Sequence, residues 1–276
     1  MLATGVAAAG ALALGRTALA APPAGPYGPF KMGLQSYSLR GYVHDGKADL
    51  DKALAVTKDL GLHYWESYPA HVPMDTDPAR AAAIKSRIAD AGVTVAAYGV
   101  IHFGKDAAAN RKAFEFAKVM GLDYLSADPD PGSFDQLDKL CEEFNIGIGI
   151  HNHGPGHRYD TIDKIAALIK DHHPKIGCCV DTGHFLRSNQ DPVRAVEVFG
   201  KRIFGVHLKD VKDATKFTIL GEGDLRTVDL LKALAALRYP YTLALEYEES
   251  PENPVADIKA CLEATRRAAA SAGIAG

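Results

Sequence analysis

The chain has 276 residues, of which 47% are hydrophobic and 24% charged, with a formal net charge of −3. That length and balance suffice for one large core and are ordinary for a single α/β barrel. The near-neutral charge provides no basic footprint for nucleic acid and no polybasic membrane patch.

Residues 1–21 read as a secretory signal peptide: Leu2 to Leu14 is apolar and small, and Ala18-Leu19-Ala20-Ala21 is a small-residue cleavage site. The apolar run is short for a membrane span, and no Lys or Arg precedes it, so either a basic segment, twin-arginine or otherwise, lies upstream of Met1 or export is inefficient. Residues 22–30 form a Pro/Gly leader and 31–270 the folded domain, which this reading places in the periplasm, with no membrane span in the mature protein.

From there strand and helix alternate. Strands are expected at 32–39, 63–68, 93–100, 122–127, 146–153, 176–181, 203–209 and 241–247. Helices are expected at 48–60, 77–91, 107–120, 133–144, 161–171, 192–199, 227–237 and 254–270. Gly61, Gly92 and Gly121 close three of them, and Ser133 and Asp191 stand as N-caps. Eight such units argue a single-domain α/β fold, the closed (β/α)8 TIM barrel, with an open doubly wound sheet as the runner-up. The open sheet would show a glycine-rich phosphate turn after its first strand, and Gln35-Ser36-Tyr37-Ser38 is no such turn. Cys141, Cys178, Cys179 and Cys261 have no zinc-ribbon spacing and read as small buried hydrophobes.

In a barrel the C-terminal strand ends share one mouth, and there the polar residues collect. Gln35, Glu66 and Tyr68 come from the first two strands, and His151, His153, Asp181, His184, His207, Lys209 and Glu246 from the last four. His151 and His153 are two apart and share a face. One His, one Asp, one His and one Glu from four successive strands form a mixed N/O set for a divalent ion of the Mn, Co, Fe or Zn group, better than for Mg or Ca. Glu246 follows the apolar run Leu243-Ala244-Leu245, where an unpaired carboxylate would be costly.

Four motifs in order, Asp181-Thr182-Gly183-His184, Val206-His207-Leu208-Lys209-Asp210, Leu220-Gly221-Glu222-Gly223-Asp224 and Leu245-Glu246-Tyr247, resemble the xylose-isomerase-like TIM barrel superfamily in its sugar phosphate isomerase/epimerase branch. The resemblance covers nearly all of the chain after Lys31. It implies Asp181, His207 and Glu246 as metal ligands, and His184 and Lys209 as contacts to substrate hydroxyls or carbonyl. Many members carry Glu on the fifth strand, in an E-N-H context; here His151-Asn152-His153 stands there. His151 is the expected fourth ligand and His153 the alternate ligand or a base. The symmetric two-carboxylate mechanism of ketose epimerases therefore lacks one partner, and the extra His residues of a trinuclear endonuclease site are missing.

The expected activity is a divalent-metal-dependent sugar isomerase or epimerase, manganese first, that abstracts a proton next to a chelated carbonyl. Glu246 is the first choice of base, His153 the second, with Lys209 at the enolate oxygen; Gln35, Glu66, Tyr68 and His184 line the substrate. Export argues for a non-phosphorylated sugar or keto-sugar. A lyase or dehydratase acting on 3-keto-glycosides or related keto-sugars is the alternative, and a non-catalytic sugar-binding barrel the reading from another class. Barrels of this kind often pair into homo-oligomers, although no interface patch is legible.

Overall fold

The computed structural model describes residues 25–75 and 77–275; the expected signal peptide at 1–21 lies outside them. Eight strands close a parallel barrel: β1 (Lys31–Gln35), β2 (Tyr64–Ser67), β3 (Thr94–Phe103), β4 (Tyr124–Pro129), β5 (Gly147–His151), β6 (Ile176–Asp181), β7 (Ile203–Leu208) and β8 (Thr242–Leu245). β1 closes the ring by pairing with both β8 and β2. Around it lie α1 (Leu50–Asp59), α2 (Pro78–Asp90), α3 (Ala107–Met120), α4 (Phe134–Phe144), α5 (Ile162–Ile169), α6 (Thr182–Arg187), α7 (Pro192–Phe199), α8 (Thr227–Leu237) and α9 (Val255–Ser271).

Local chemistry explains the boundaries. Asp49, Asp77, Asp106, Thr161 and Asp191 each accept a first-turn backbone N–H of the following helix, satisfying donors the helix leaves free. Ser133 differs from its expected cap role: its hydroxyl donates to the Asp130 carbonyl at 2.8 Å and it sits in a 3-10 turn. α6 and two hairpins, Val43–His44 with Lys47–Ala48 and Asp210–Lys212 with Lys216–Thr218, are additions that hydrophobic periodicity did not announce.

Alternation along the strands divides the molecule. On β6, Ile176, Cys178 and Val180 join the main core between barrel and helices, while Cys179 and Asp181 take the opposite phase. A small inner cluster of Ala97, Tyr124 and Phe204 fills the barrel itself. Phe204 enters it through a bulge: Cys178 pairs with Ile203 and Cys179 with Gly205, so Phe204 is the extra residue. Opposite it the wall must be glycine, because a Cβ on Gly147 would stand 2.5 Å from the Phe204 ring. All four cysteines are free and buried. Among the described residues no helix is long and apolar enough to cross a membrane.

Candidate metal centre

His151 ends β5, Asp181 ends β6, His207 lies on β7 directly opposite Asp181, and Glu246 follows β8 after donating its N–H to the Leu208 carbonyl. One donor atom from each lies within 4.8 Å of the others, and all four residues are buried. His151 Nε2 is 3.1 Å from His207 Nδ1 and 3.5 Å from Asp181 Oδ2. His207 Nδ1 is 3.1 Å from Glu246 Oε2. Buried polar atoms are ordinarily hydrogen-bonded, yet Asp181 Oδ2 and Glu246 Oε2 accept no aligned hydrogen bond. Two carboxylate oxygens that face only the charge of the Lys209 ammonium, converging with two imidazole nitrogens, are a fitting donor set for a divalent cation of the Mn, Fe, Co or Zn class.

Beneath this cluster Glu66 faces the other nitrogen of His207, Nε2, at 2.9 Å. A carboxylate there fixes the ring so that Nδ1 points at the cluster. Glu66 also accepts from Gln35 Nε2 at 3.0 Å, from Tyr124 Oη at 2.7 Å, and from the Ser126 hydroxyl. Burial alone would raise the Glu66 carboxyl, but His207 and the Ser126 and Tyr124 hydroxyls hold it below the usual range. Burial would likewise depress His207, yet its neighbours hold it well above the ordinary value. Cys179 is among those neighbours, but burial pushes its thiol up to about 12, so the carboxylates Glu66 and Glu246 are the anions responsible.

The expectation that Gln35 and Glu66 line the substrate is therefore corrected. Both are buried at 1% exposure or less, with their side chains engaged inside the barrel. They lie one layer below the mouth and serve His207. Tyr68 does reach the rim, part-exposed and edge-on to Tyr37 with centroids 4.9 Å apart. His184 reaches it too: its N–H donates to Asp181 Oδ1 at 2.7 Å and its ring centroid lies 5.8 Å from that of His151. His153 falls beyond the end of β5. Its ring packs on His151 at 4.7 Å and on His157 at 4.3 Å, and it lies outside the four-residue cluster.

Lys209 is buried, its Nζ 2.9 Å from Asp181 Oδ2 and 2.8 Å from Glu246 Oε2, and paired with Glu248 Oε1. Burial opposes charging all of these groups. Lys209 and His184 nevertheless hold Asp181 well below the carboxylate range, and Lys209 and His207 hold Glu246 down to about 2. Those three carboxylates in turn hold Lys209 above its ordinary value against burial. Burial and the neighbouring cations lower His184 to about 4, so its ring is neutral near pH 7.

Three motif residues turn out to build the frame. Asn152 exchanges two hydrogen bonds with the Asp181 backbone, at 2.8 and 2.9 Å, tying the end of β5 to β6. The Thr182 hydroxyl accepts from Lys209 N at 2.8 Å and donates to its carbonyl at 2.5 Å, tying β6 to the chain after β7. Asp210 accepts from the N–H groups of Val211, Gly221, Gly223 and Leu225, which folds the Leu220-to-Asp224 turn around its carboxylate. Sequence reasoning gave no role to Asn152, Ser126, Tyr124 or Glu248. For Asn152 the signal was its position between two histidines, on the face opposite theirs.

Residues 54–268 match the family described as xylose isomerase-like TIM barrel. The chain is 30% identical over 157 residues to the rhizopine catabolism protein MocC of Rhizobium meliloti, covering 50% of this chain and 48% of that protein. It is 30% identical over 135 residues to the inosose dehydratase of Clostridium tetani (strain Massachusetts / E88), covering 42% of this chain and 45% of that one. The aligned part thus spans about half the length of these curated relatives. The crystal structure of the IOLI protein with a binding zinc atom shares the fold, with a TM-score of 0.68 at 15% identity over 87% of this chain and 98% of that one. With its closed eight-stranded barrel and a family match over most of its length, the chain belongs to the xylose isomerase-like TIM barrel family.

Proposed function

We propose that the protein is a divalent-metal-dependent enzyme that removes a proton next to the carbonyl of a non-phosphorylated sugar or keto-sugar and then expels the β-oxygen substituent. The observation that carries this reading is the cluster of His151, Asp181, His207 and Glu246 with the Lys209 ammonium 2.8 Å from Glu246. His151, Asp181, His207 and Glu246 would hold the ion, manganese being the first choice. When bound, such an ion polarises a carbonyl and acidifies the neighbouring C–H.

Glu246 is the most exposed of the four, at 7%, and takes the proton. Lys209 places positive charge where the enolate oxygen develops. Arg187 Nη1 donates to His184 Nδ1 at 3.1 Å, which leaves the His184 proton on Nε2, from where it hydrogen-bonds the departing oxygen and is not transferred. The proton taken by Glu246 leaves with that oxygen, so the net change is loss of water or of an alcohol. One carboxylate base suffices for this elimination, whereas the two-carboxylate epimerase scheme needs a second where His151 stands. The resemblance to an inosose dehydratase supports the same choice.

Isomerisation or epimerisation is the second reading. It shares the first step, after which Glu246, carrying the proton it took, returns it to the neighbouring carbon in place of the oxygen. A barrel that only binds sugar would have no use for Lys209 beside the buried Glu246 carboxylate.

Metal analysis and solvent exchange test the proposal together. Purified protein should carry about one divalent ion per chain, held by His151, Asp181, His207 and Glu246. It should exchange the proton next to the carbonyl of a keto-sugar with D₂O, and release water or an aglycone from the right substrate. Glu246→Gln should keep the fold and lose about a hundred- to ten-thousand-fold in exchange rate. Full exchange in that variant, or exchange indifferent to a chelator, would sink the proposal.

A further inference from the structure

Beside the cluster the mouth continues into a shallow, open depression of about 460 Å³, lined by the His153–His157 loop, His184 and Arg187. Arg187 is partly buried and, among the described residues, forms no ion pair with a carboxylate. It is nonetheless held in place. Nη1 donates to His184 Nδ1 at 3.1 Å, and Cζ lies 5.3 Å from the Phe217 ring centroid. Gly154 lets the loop close on it, since a Cβ there would stand 3.1 Å from both Cζ and Nη1. The other donors of its planar fork have no hydrogen-bond partner among the described residues, although a guanidinium offers five. A fixed cation with free parallel N–H groups at the wall of an open depression matches a carboxylate, which it can bind bidentately.

The same wall offers another chemistry, which its tautomer excludes. Asp128, His153 and His157 come close enough to hold a cation. His157 Nδ1, however, accepts the Tyr159 N–H at 3.3 Å, which leaves the proton on Nε2, 3.6 Å from Asp128 Oδ2. That nitrogen faces Asp128 as a donor, not as a ligand.

We propose that Arg187, held by His184 and Phe217 against Gly154, receives the carboxylate of a sugar acid whose carbonyl reaches the cluster of His151, Asp181, His207 and Glu246. The inference rests on the reaction proposed for that cluster and narrows its substrate class. The link between the two sites is short: His184 holds Arg187 with its ring and Asp181 with its backbone N–H.

Three keto-sugars that differ only at C6 make the test: D-fructose, D-fructuronate and D-fructose 6-phosphate. Binding to the manganese-loaded protein is read by calorimetry, and proton exchange in D₂O in parallel. Fructuronate should bind about ten-fold or more tighter than fructose, the scale of a charge-assisted hydrogen-bonded contact, and tighter than the phosphate ester. Arg187→Met should bring the fructuronate-to-fructose ratio to about one. Equal binding in the parent, a ratio that survives in Arg187→Met, or an Arg187-dependent preference for the phosphate ester each overturns the carboxylate subsite. Absence of exchange with all three sugars, with the Arg187-dependent preference intact in calorimetry, removes the proposed reaction and supports the subsite.

Discussion

Lys209 shows how a single residue can hold a metal-binding cluster together before any metal arrives. Its ammonium lies within 3 Å of oxygens from Asp181 and Glu246 and pairs with Glu248, in surroundings that exclude water. Buried carboxylates left without a counter-charge are strongly destabilising. Lys209→Met should therefore lower the stability of the metal-free protein by about 3 kcal/mol, and added manganese should recover most of it, because a cation at the same oxygens replaces the lost charge. Thermal unfolding with chelator and with metal checks this; a metal-free variant as stable as its parent would refute it. At this scale the sequence was legible where a polar residue ended an apolar run, as at Asp181, His207 and Glu246. It misled at Gln35 and Glu66, because strand phase tells which way a side chain points and not how deep its strand sits. Gln35 and Glu66 are register partners one layer down, and only the closed barrel shows that layer.

Among the elements, the junction of β5 and β6 depends on a side chain that resembles backbone. The Asn152 amide continues the ladder past the last strand pair, so the orientation of both His151 and Asp181 depends on it. Asn152→Ala leaves the buried Asp181 N–H without an acceptor and should cost about 1–3 kcal/mol. It should also weaken manganese binding, read by titration calorimetry; unchanged affinity would mean that the strands alone position the donors. The eight strands and eight main helices follow from periodicity and capping, and several boundaries, such as those of β6, α7 and α8, coincide with expectation. The short pieces were out of reach. The hairpin carrying Phe217 and the helix carrying Arg187 are too brief for a periodic signal, and the four N–H groups gathered by Asp210 come from positions up to 15 residues away. β5 stops two residues early because Gly154-Pro155-Gly156 cannot extend the ladder, and this turns His153 away from the donor set.

For the molecule as a whole, buried ionisable groups set two acid limits. His71 accepts or donates at Ser36 Oγ at 3.0 Å and is buried, which depresses its ring to about 4. Asp49 and the Leu39 backbone push the other way without overcoming burial. In the unfolded chain the same ring titrates near 6.5, so between those values the unfolded state holds the extra proton. Its contribution is complete above pH 6.5 and is lost as the pH falls to about 4, a change on the order of 3 kcal/mol. Glu246, held down to about 2, acts in a lower window: its contribution is present above its ordinary value and is lost as the pH falls towards 2. Urea unfolding at pH 7 and pH 4.5 should show a loss in the parent that His71→Phe reduces by the share of that ring, the remainder including that of His184, which burial also lowers to about 4; identical losses would assign it elsewhere.

The barrel divides labour between its halves. Every donor atom of the cluster comes from β5 to β8 or the residue after it, while Gln35, Glu66, Tyr124 and Ser126, which stand behind His207, come from β1, β2 and β4. Inheritance should therefore act differently on the two. Changes in the second half decide whether the centre exists. Changes in the first half act through one imidazole and adjust how strongly it donates. A lineage could explore new reactivity by drifting in residues 31–129 while its cluster stayed intact, so that close relatives with the same donors need not share a chemistry.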